Sequence, residues 1–409
     1  MAVEAERAGG GVNWWYDKRT RAIIMQVVVI SLFVAFVAYI VNNTATNMES
    51  RGLNPGFEFL GQIAGFMPTS PTFNLTDFDV NSSTHWDVFV LGLVNTLLIS
   101  AFGVVLATIV GFVMGVLRLS KNPLINFLAS CYVEIMRNIP LLLHIFIWYF
   151  AVWLTLPELF ETVDGKRELA AFNVFGLDLI YISQRGINYP SAILNPGWQA
   201  IPIALAIAIA GIVFLARWAK KRQDATGQPF PVFWTSIAML IVFPLIGYAV
   251  TGGPIGWDLP EAGRFNLRGG ATLPGGMMGL LLALVVYTGA FIAENVRSGI
   301  QAVSHGQTEA AFALGLRPNV TMRKVIIPQA MRVIVPPMTS QYLNLTKNSS
   351  LAVAIGYPDL VNIFTGVSLN QTGNAVEIIA MTMAVYLTIS LTISLFMNWY
   401  NKRVALVER

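Results

Sequence analysis

The chain has 409 residues, of which 55% are hydrophobic and 12% charged, with 26 basic against 22 acidic side chains. A soluble globular protein carries about 25% charged residues, so a soluble enzyme of this length is excluded, and the mean hydropathy of +0.62 agrees. The 25 Phe, 12 Tyr and 10 Trp exclude a disordered chain, and the single cysteine, Cys131, excludes a disulfide framework or a Cys-based metal site.

A membrane helix takes about 20 mostly apolar residues. The first such stretch, Ala22–Val41, follows Lys18, Arg19 and Arg21. A signal peptide has a shorter apolar core, about 7–15 residues, so an uncleaved span is expected. Residues 42–87 are polar and read as an extramembrane loop. Val88–Leu117 is a long span stopped by Arg118 and Lys121, and the amphipathic stretch Pro123–Asn138 leads into a third span at Ile139–Leu156. After a polar segment at 157–197 come two spans, Trp198–Trp218 and Pro231–Val250, flanking a compact basic turn with Arg217, Lys220, Lys221 and Arg222. A Gly/Pro-rich loop precedes the span Met277–Val296, and a polar segment, Arg297–Arg332, precedes the last two, Val333–Ile355 and Val376–Tyr400.

The expected fold class is therefore all-α, a polytopic membrane protein with about eight transmembrane helices. Lys and Arg resist translocation. With a cytoplasmic N-terminus, 19 of the 26 basic residues face the cytoplasm, six lie outside and Lys347 lies within a span. Fourteen of the 22 acidic residues fall on or near the outer side. Both termini are accordingly placed in the cytoplasm. The chain divides into an N-terminal tail, first span and outer loop (1–87), a core part (88–156), an insertion with two spans (157–275) and a second core part (276–409) with the cytoplasmic segment 297–332.

No G-x-x-x-x-G-K-[ST] loop is present to cradle ATP phosphates. His85, His144 and His305 are scattered and suggest no metal site, and nothing points to nucleic acid. Ion-driven transporters keep ionisable relays deep in their spans, whereas here there is little beyond Lys347 and Glu294. The energy source is expected outside this chain, and no cofactor is expected on it.

In segment 297–332, Thr308 is a candidate N-cap and Glu309 falls in the first turn, where the helix dipole favours an acid. Gly315 suits the left-handed residue that ends a helix, and Pro318 stops continuation. Capping alone favours an interfacial helix of about two turns with no particular role. The spacing adds more. Glu309-Ala310-Ala311, Gly315 and the run Val325–Pro328 resemble the EAA loop of ABC-importer permeases, in which the short helix docks into a separate ATPase subunit. The resemblance implies that Thr308, Glu309, Ala310, Ala311, Gly315 and Pro328 couple this chain to an ATPase dimer, whose subunits use ATP and Mg2+.

Further tracts narrow the resemblance to polar-amino-acid permeases: Asn95-Thr96-Leu97, Arg118-Leu119-Ser120-Lys121, Tyr132-Val133-Glu134 with Arg137 and Pro140, Ala293-Glu294 with Arg297, Gly299–Val303, Gly306-Gln307, Pro328-Gln329-Ala330 with Arg332, and Leu345–Leu351. Asn348 stands where the family usually has Asp, and Asn138-Ile139 where it has Gly-Thr. Residues 1–87 and roughly 155–275 exceed the five-span family core and resemble the long general L-amino-acid and glutamate/glutamine/aspartate/asparagine permease subunits. The implied setting is a bacterial inner membrane, with a second homologous permease chain, a periplasmic amino-acid-binding protein and surrounding lipid as partners.

A polar amino acid needs a lined path. Gln341, Asn344 and Asn348 follow helical spacing on the polar seventh span, with Lys347 as a carboxylate contact; interhelical hydrogen bonding explains these residues equally well. Glu294 and Arg297 read as a local pair. The competing functions are an ion-gradient-driven secondary transporter and a non-transporting anchor for an ATPase.

Overall fold

The computed structural model describes residues 18–50, 56–66, 78–163, 166–176, 178–263 and 266–404. The first 17 residues of the expected cytoplasmic tail and the outer residues Arg51, Asp164 and Arg264 lie outside the described residues. Helices dominate: α1 Lys18–Ser50, α2 His85–Leu117, α3 Pro123–Asn138, α4 Leu141–Phe146, α5 Ala200–Thr226, α6 Val232–Val250, α7 Gly275–Gln301, α8 His305–Ala313, α9 Pro318–Thr321, α10 Ile327–Asn348, α11 Leu369–Thr372 and α12 Ala375–Val404. Among the described residues, six helices are long and apolar enough to cross a membrane, or eight if two bent pairs are each one span. The count equals the eight expected spans when each bent pair is taken as one span.

The first bent pair joins α3 to α4 and the turns that extend it to Thr155, at an angle of 109°. The break falls at Ile139, whose ψ of 131° is the extended conformation forced on a residue preceding proline. The second joins the α10 unit, continued by a 3-10 turn over Ser349–Ile355, to Leu360–Thr372 at 53°. There Gly356 takes a φ of +71° and the Asp359 side chain accepts the Asn362 amide at 2.9 Å to start the next helix.

Several expected boundaries move. α1 runs on to Ser50, into the segment read as a loop. The basic residues 217–222 lie within α5, not in a turn, and the helix ends only at Gly227, φ +72°. The polar segments around α5 and α6 carry short strands: β1 Phe160–Val163, β2 Lys166–Leu169, β3 Phe172–Asn173, β4 Tyr181–Ser183, β5 Gly186–Tyr189, β6 Ser191–Leu194, β7 Ile255–Asp258, β8 Glu261–Ala262, β9 Leu267–Arg268 and β10 Ala271–Pro274. They form antiparallel pairs, with a four-stranded sheet in the order β10-β5-β4-β3 and β6 beside β7. The chain before α5 is therefore zipped to the chain after α6. The sheet reaches the core at one edge, where the Trp153 indole donates to Gln184 O (3.0 Å) and the Gly275 amide to Arg185 O (2.9 Å).

The core is built on α7 against α2 and α10. Lipid is as apolar as leucine, so helices associate in it through close packing and hydrogen bonds. Gly111 supplies the approach, since a Cβ there would lie 2.4 Å from Ile292 Cγ2 and 3.0 Å from Gly289 O. Leu280, Leu284, Ile292 and Ile334 are fully buried between these helices. At the other end, Phe59, Phe89 and Phe364 cluster under the segment that precedes α2.

Candidate functional site

The chain leaves α7 at Ala302, turns at Val303–Ser304 and starts α8 at His305. The N-cap is Ser304, not Thr308, so Thr308 and Glu309 lie beyond the first turn and the dipole argument for Glu309 falls away. Ser304 caps through its backbone: its carbonyl accepts the Gln307 amide at 3.0 Å. Glu309 faces solvent and pairs with His305 Nδ1 one turn back at 3.0 Å. Ala311 is buried and Ala310 exposed.

The C-terminal expectation is met. Gly315 has φ +74°; its amide donates to Phe312 O (2.9 Å) and the Leu316 amide to Ala311 O (3.1 Å). That pair of bonds is the Schellman closure, which needs the left-handed residue. Pro318 does more than stop the helix, since it opens α9. Pro328 sits in the first turn of α10. Side chains tie α8 to the core: Gln329 Nε2 donates to Gln307 Oε1 at 3.0 Å, joining two motif fragments 22 residues apart. A Cβ on Gly299 would lie 2.3 Å from Ile334 Cγ1, so the base of α7 and the base of α10 are in direct contact. The result is an exposed, doubly closed helix that presents Phe312 and Leu314, 49% and 79% exposed, away from the core.

Beside this loop lies an ion cluster larger than the expected pair Glu294–Arg297. Glu294 bonds Arg297 through both oxygens (2.5 and 3.1 Å) and also accepts from Arg118 at 2.5 Å. Arg118 bonds Glu134 at 2.5 Å, and Arg137 stands 4.0 Å from Glu294 with its guanidinium over the Phe291 ring. Three motif tracts, from α2, α3 and α7, thus converge on one carboxylate. The separations, 176 residues for Arg118 to Glu294, left no local signal.

The motif Asn95-Thr96 also acquires a role. Asn95 Nδ2 donates to Pro358 O (2.9 Å) and Thr96 Oγ1 accepts from the Leu360 amide (3.1 Å). Both side chains are fully buried and pin the second helix break to α2. Of the path residues expected on α10, Gln341 and Asn348 are half-buried, while Asn344 and Lys347 are exposed. Lys347 lines a cavity of about 430 Å³ whose opposite wall comes from α12, with Thr382, Tyr386 and Ser390. Helical spacing on α10 carries no sign of these residues, because they stand on a different helix from Lys347.

Comparison with known proteins gives the family. Residues 213–406 match the family described as binding-protein-dependent transport system inner membrane component. The chain is 47% identical over 404 residues to the general L-amino acid transport system permease protein AapQ of Rhizobium johnstonii, covering 98% of this chain and 97% of that protein. It is 49% identical over 389 residues to the putative amino-acid ABC transporter permease protein YhdX of Escherichia coli, covering 95% of each. It is 42% identical over 431 residues to the glutamate/glutamine/aspartate/asparagine transport system permease protein BztB of Rhodobacter capsulatus, over the full length of both. The reading as an ion-gradient-driven secondary transporter finds no support among them. The chain belongs to the binding-protein-dependent transport system inner membrane components, as a multi-pass ABC permease subunit.

Proposed function

We propose that this chain imports polar L-amino acids by alternating access, with α8 as the helix that receives the ATPase stroke. The observation that carries the reading is α8 itself: closed at both ends, exposing Phe312 and Leu314, and fixed to the bases of α7 and α10. A push on α8 therefore moves two core helices as one body. ATP and Mg2+ belong to the partner ATPase dimer. A second homologous permease chain completes the pathway, and a periplasmic binding protein delivers substrate. Both termini lie in the cytoplasm; the basic clusters at the start of α1 and the end of α12 support that orientation. The amino-acid substrate class is supported by the names of the three relatives. Lys347, on the wall of the cavity beside α12, offers a cation to a carboxylate substrate, with Gln341, Asn344 and Asn348 along the same helix.

The test is a reconstituted complex carrying Glu309→Lys with Phe312→Asp. Both side chains are solvent-facing, so folding and membrane insertion are expected to persist. Binding-protein-stimulated uptake is expected to fall about tenfold or more, the effect of removing an interface anchor. Wild-type uptake coupled to wild-type ATP hydrolysis would reject the docking role.

A further inference from the structure

The α5–α6 hairpin takes no part in the site. Its helices pack on each other, with Gly247 against Ala200 and Ala204, and their apolar windows are 6% and 0% buried. One end carries the strands β6 and β7. The opposite end carries the charge: Arg217, Lys220 and Lys221 at helical spacing i, i+3, i+4 on one face of α5, all exposed. Asp224, one turn further along, offsets one of the three charges. Among the described residues none of the three cations has an ion-pair partner. Arg222 is otherwise occupied, stacked over the rings of Trp218 (5.5 Å) and Phe230 (5.9 Å).

A second observation fixes the depth of this charge in the bilayer. Trp218, Phe233 and Trp234 are 42%, 68% and 71% exposed at this same end. The amphipathic indoles of Trp218 and Trp234 settle at the headgroup level of a bilayer, so the three cations stand where phosphodiesters lie. Just above them on α5, Val213 and Phe214 expose apolar surface, Phe214 to 73%.

We propose that this end of the hairpin is a binding site for an anionic phospholipid, with Arg217, Lys220 and Lys221 on the headgroup phosphodiester and the exposed face of α5 against the acyl chains. Cations immediately outside a membrane span attract anionic headgroups, each strengthening binding about fivefold. The site belongs to the insertion and stands independently of the transport reading.

The experiment is native mass spectrometry of the full chain in detergent, titrated with phosphatidylglycerol or phosphatidylcholine. The wild type is expected to retain phosphatidylglycerol preferentially, and to lose the preference as salt is raised. Arg217→Gln with Lys220→Gln and Lys221→Gln is expected to abolish it, by about fivefold for each cation. Lys220→Arg with Lys221→Arg, which keeps the charge and the topology signal, is expected to retain it. Equal retention of the two lipids by the wild type, or an undiminished preference in the triple variant, overturns the proposal. So does loss of the preference in the Arg variant, which would trace it to lysine geometry and not to charge.

Discussion

Two sets of helices in this molecule are equally fit for a membrane and differ in nearly everything else. The apolar windows of α1, α5 and α6 are 0%, 6% and 0% buried, whereas that of α7 is 67% buried. Of the six, α1 is the most apolar and among the least buried. Apolarity takes a helix into lipid but gives it no reason to leave lipid for a neighbour. The core helices add what association needs: Gly111 at the α2–α7 contact, Asn95 and Thr96 holding the helix break, and Glu294 gathering Arg118 and Arg137 from two other elements. The hairpin has small residues too, but they serve only the contact between its own two helices.

Substitutions can break that contrast. The largest effect is expected from Glu294→Gln, which leaves Arg118, Arg297 and Arg137 facing one another without their shared carboxylate. Breaking a fully buried pair costs about 3–5 kcal/mol. The side chains here retain 13–34% exposure, so about 2–3 kcal/mol is expected, measured as loss of monodisperse protein on heating in detergent. Wild-type heat resistance would mean that the cluster is not part of what holds the core. Next is Gly111→Val, which drives a side chain into Ile292 and should cost about 1–3 kcal/mol by overpacking, read from the same melting curve. The smallest is Gly211→Ala in α5. Its Cβ would meet only Met239 Cε, the end of a flexible side chain, so a change within about 0.5 kcal/mol is expected. A loss as large as that of Gly111→Val would show the hairpin to be core after all.

What the sequence disclosed follows the range of each signal. Helical periodicity is local, and Pro123–Asn138 emerges with the boundaries its amphipathic pattern implies. The chemistry of Gly315 is local as well, since a left-handed closure needs glycine there whatever the surroundings. Thr308 misled because Ser304, four residues earlier, is an equally good cap, and only the turn out of α7 decides between them. The strands were read as loops because they span two to four residues, too few for alternation to show. One of their pairings, Gly186 with Pro274, also reaches across both extra spans. Separation in sequence likewise hid the α12 wall opposite Lys347, and Glu134 beyond the pair Glu294–Arg297. Motif tracts resembling a known family marked many of these residues as parts of one assembly. Their contacts could come only from the fold.

The zipped strands carry a consequence for how such a chain is assembled as a set of parts. At Gln184–Arg185 the polypeptide touches both Trp153 and Gly275, the last residues of one core element and the first of another. From there it departs through β6, α5, α6 and β7 and comes back along β10 to the place it left. The excursion is a closed circuit, with its entrance and exit side by side. In engineering terms the whole of it is a cassette: replacing it by a short turn between Arg185 and Gly275 asks the core for no new path, since the two are already hydrogen-bonded.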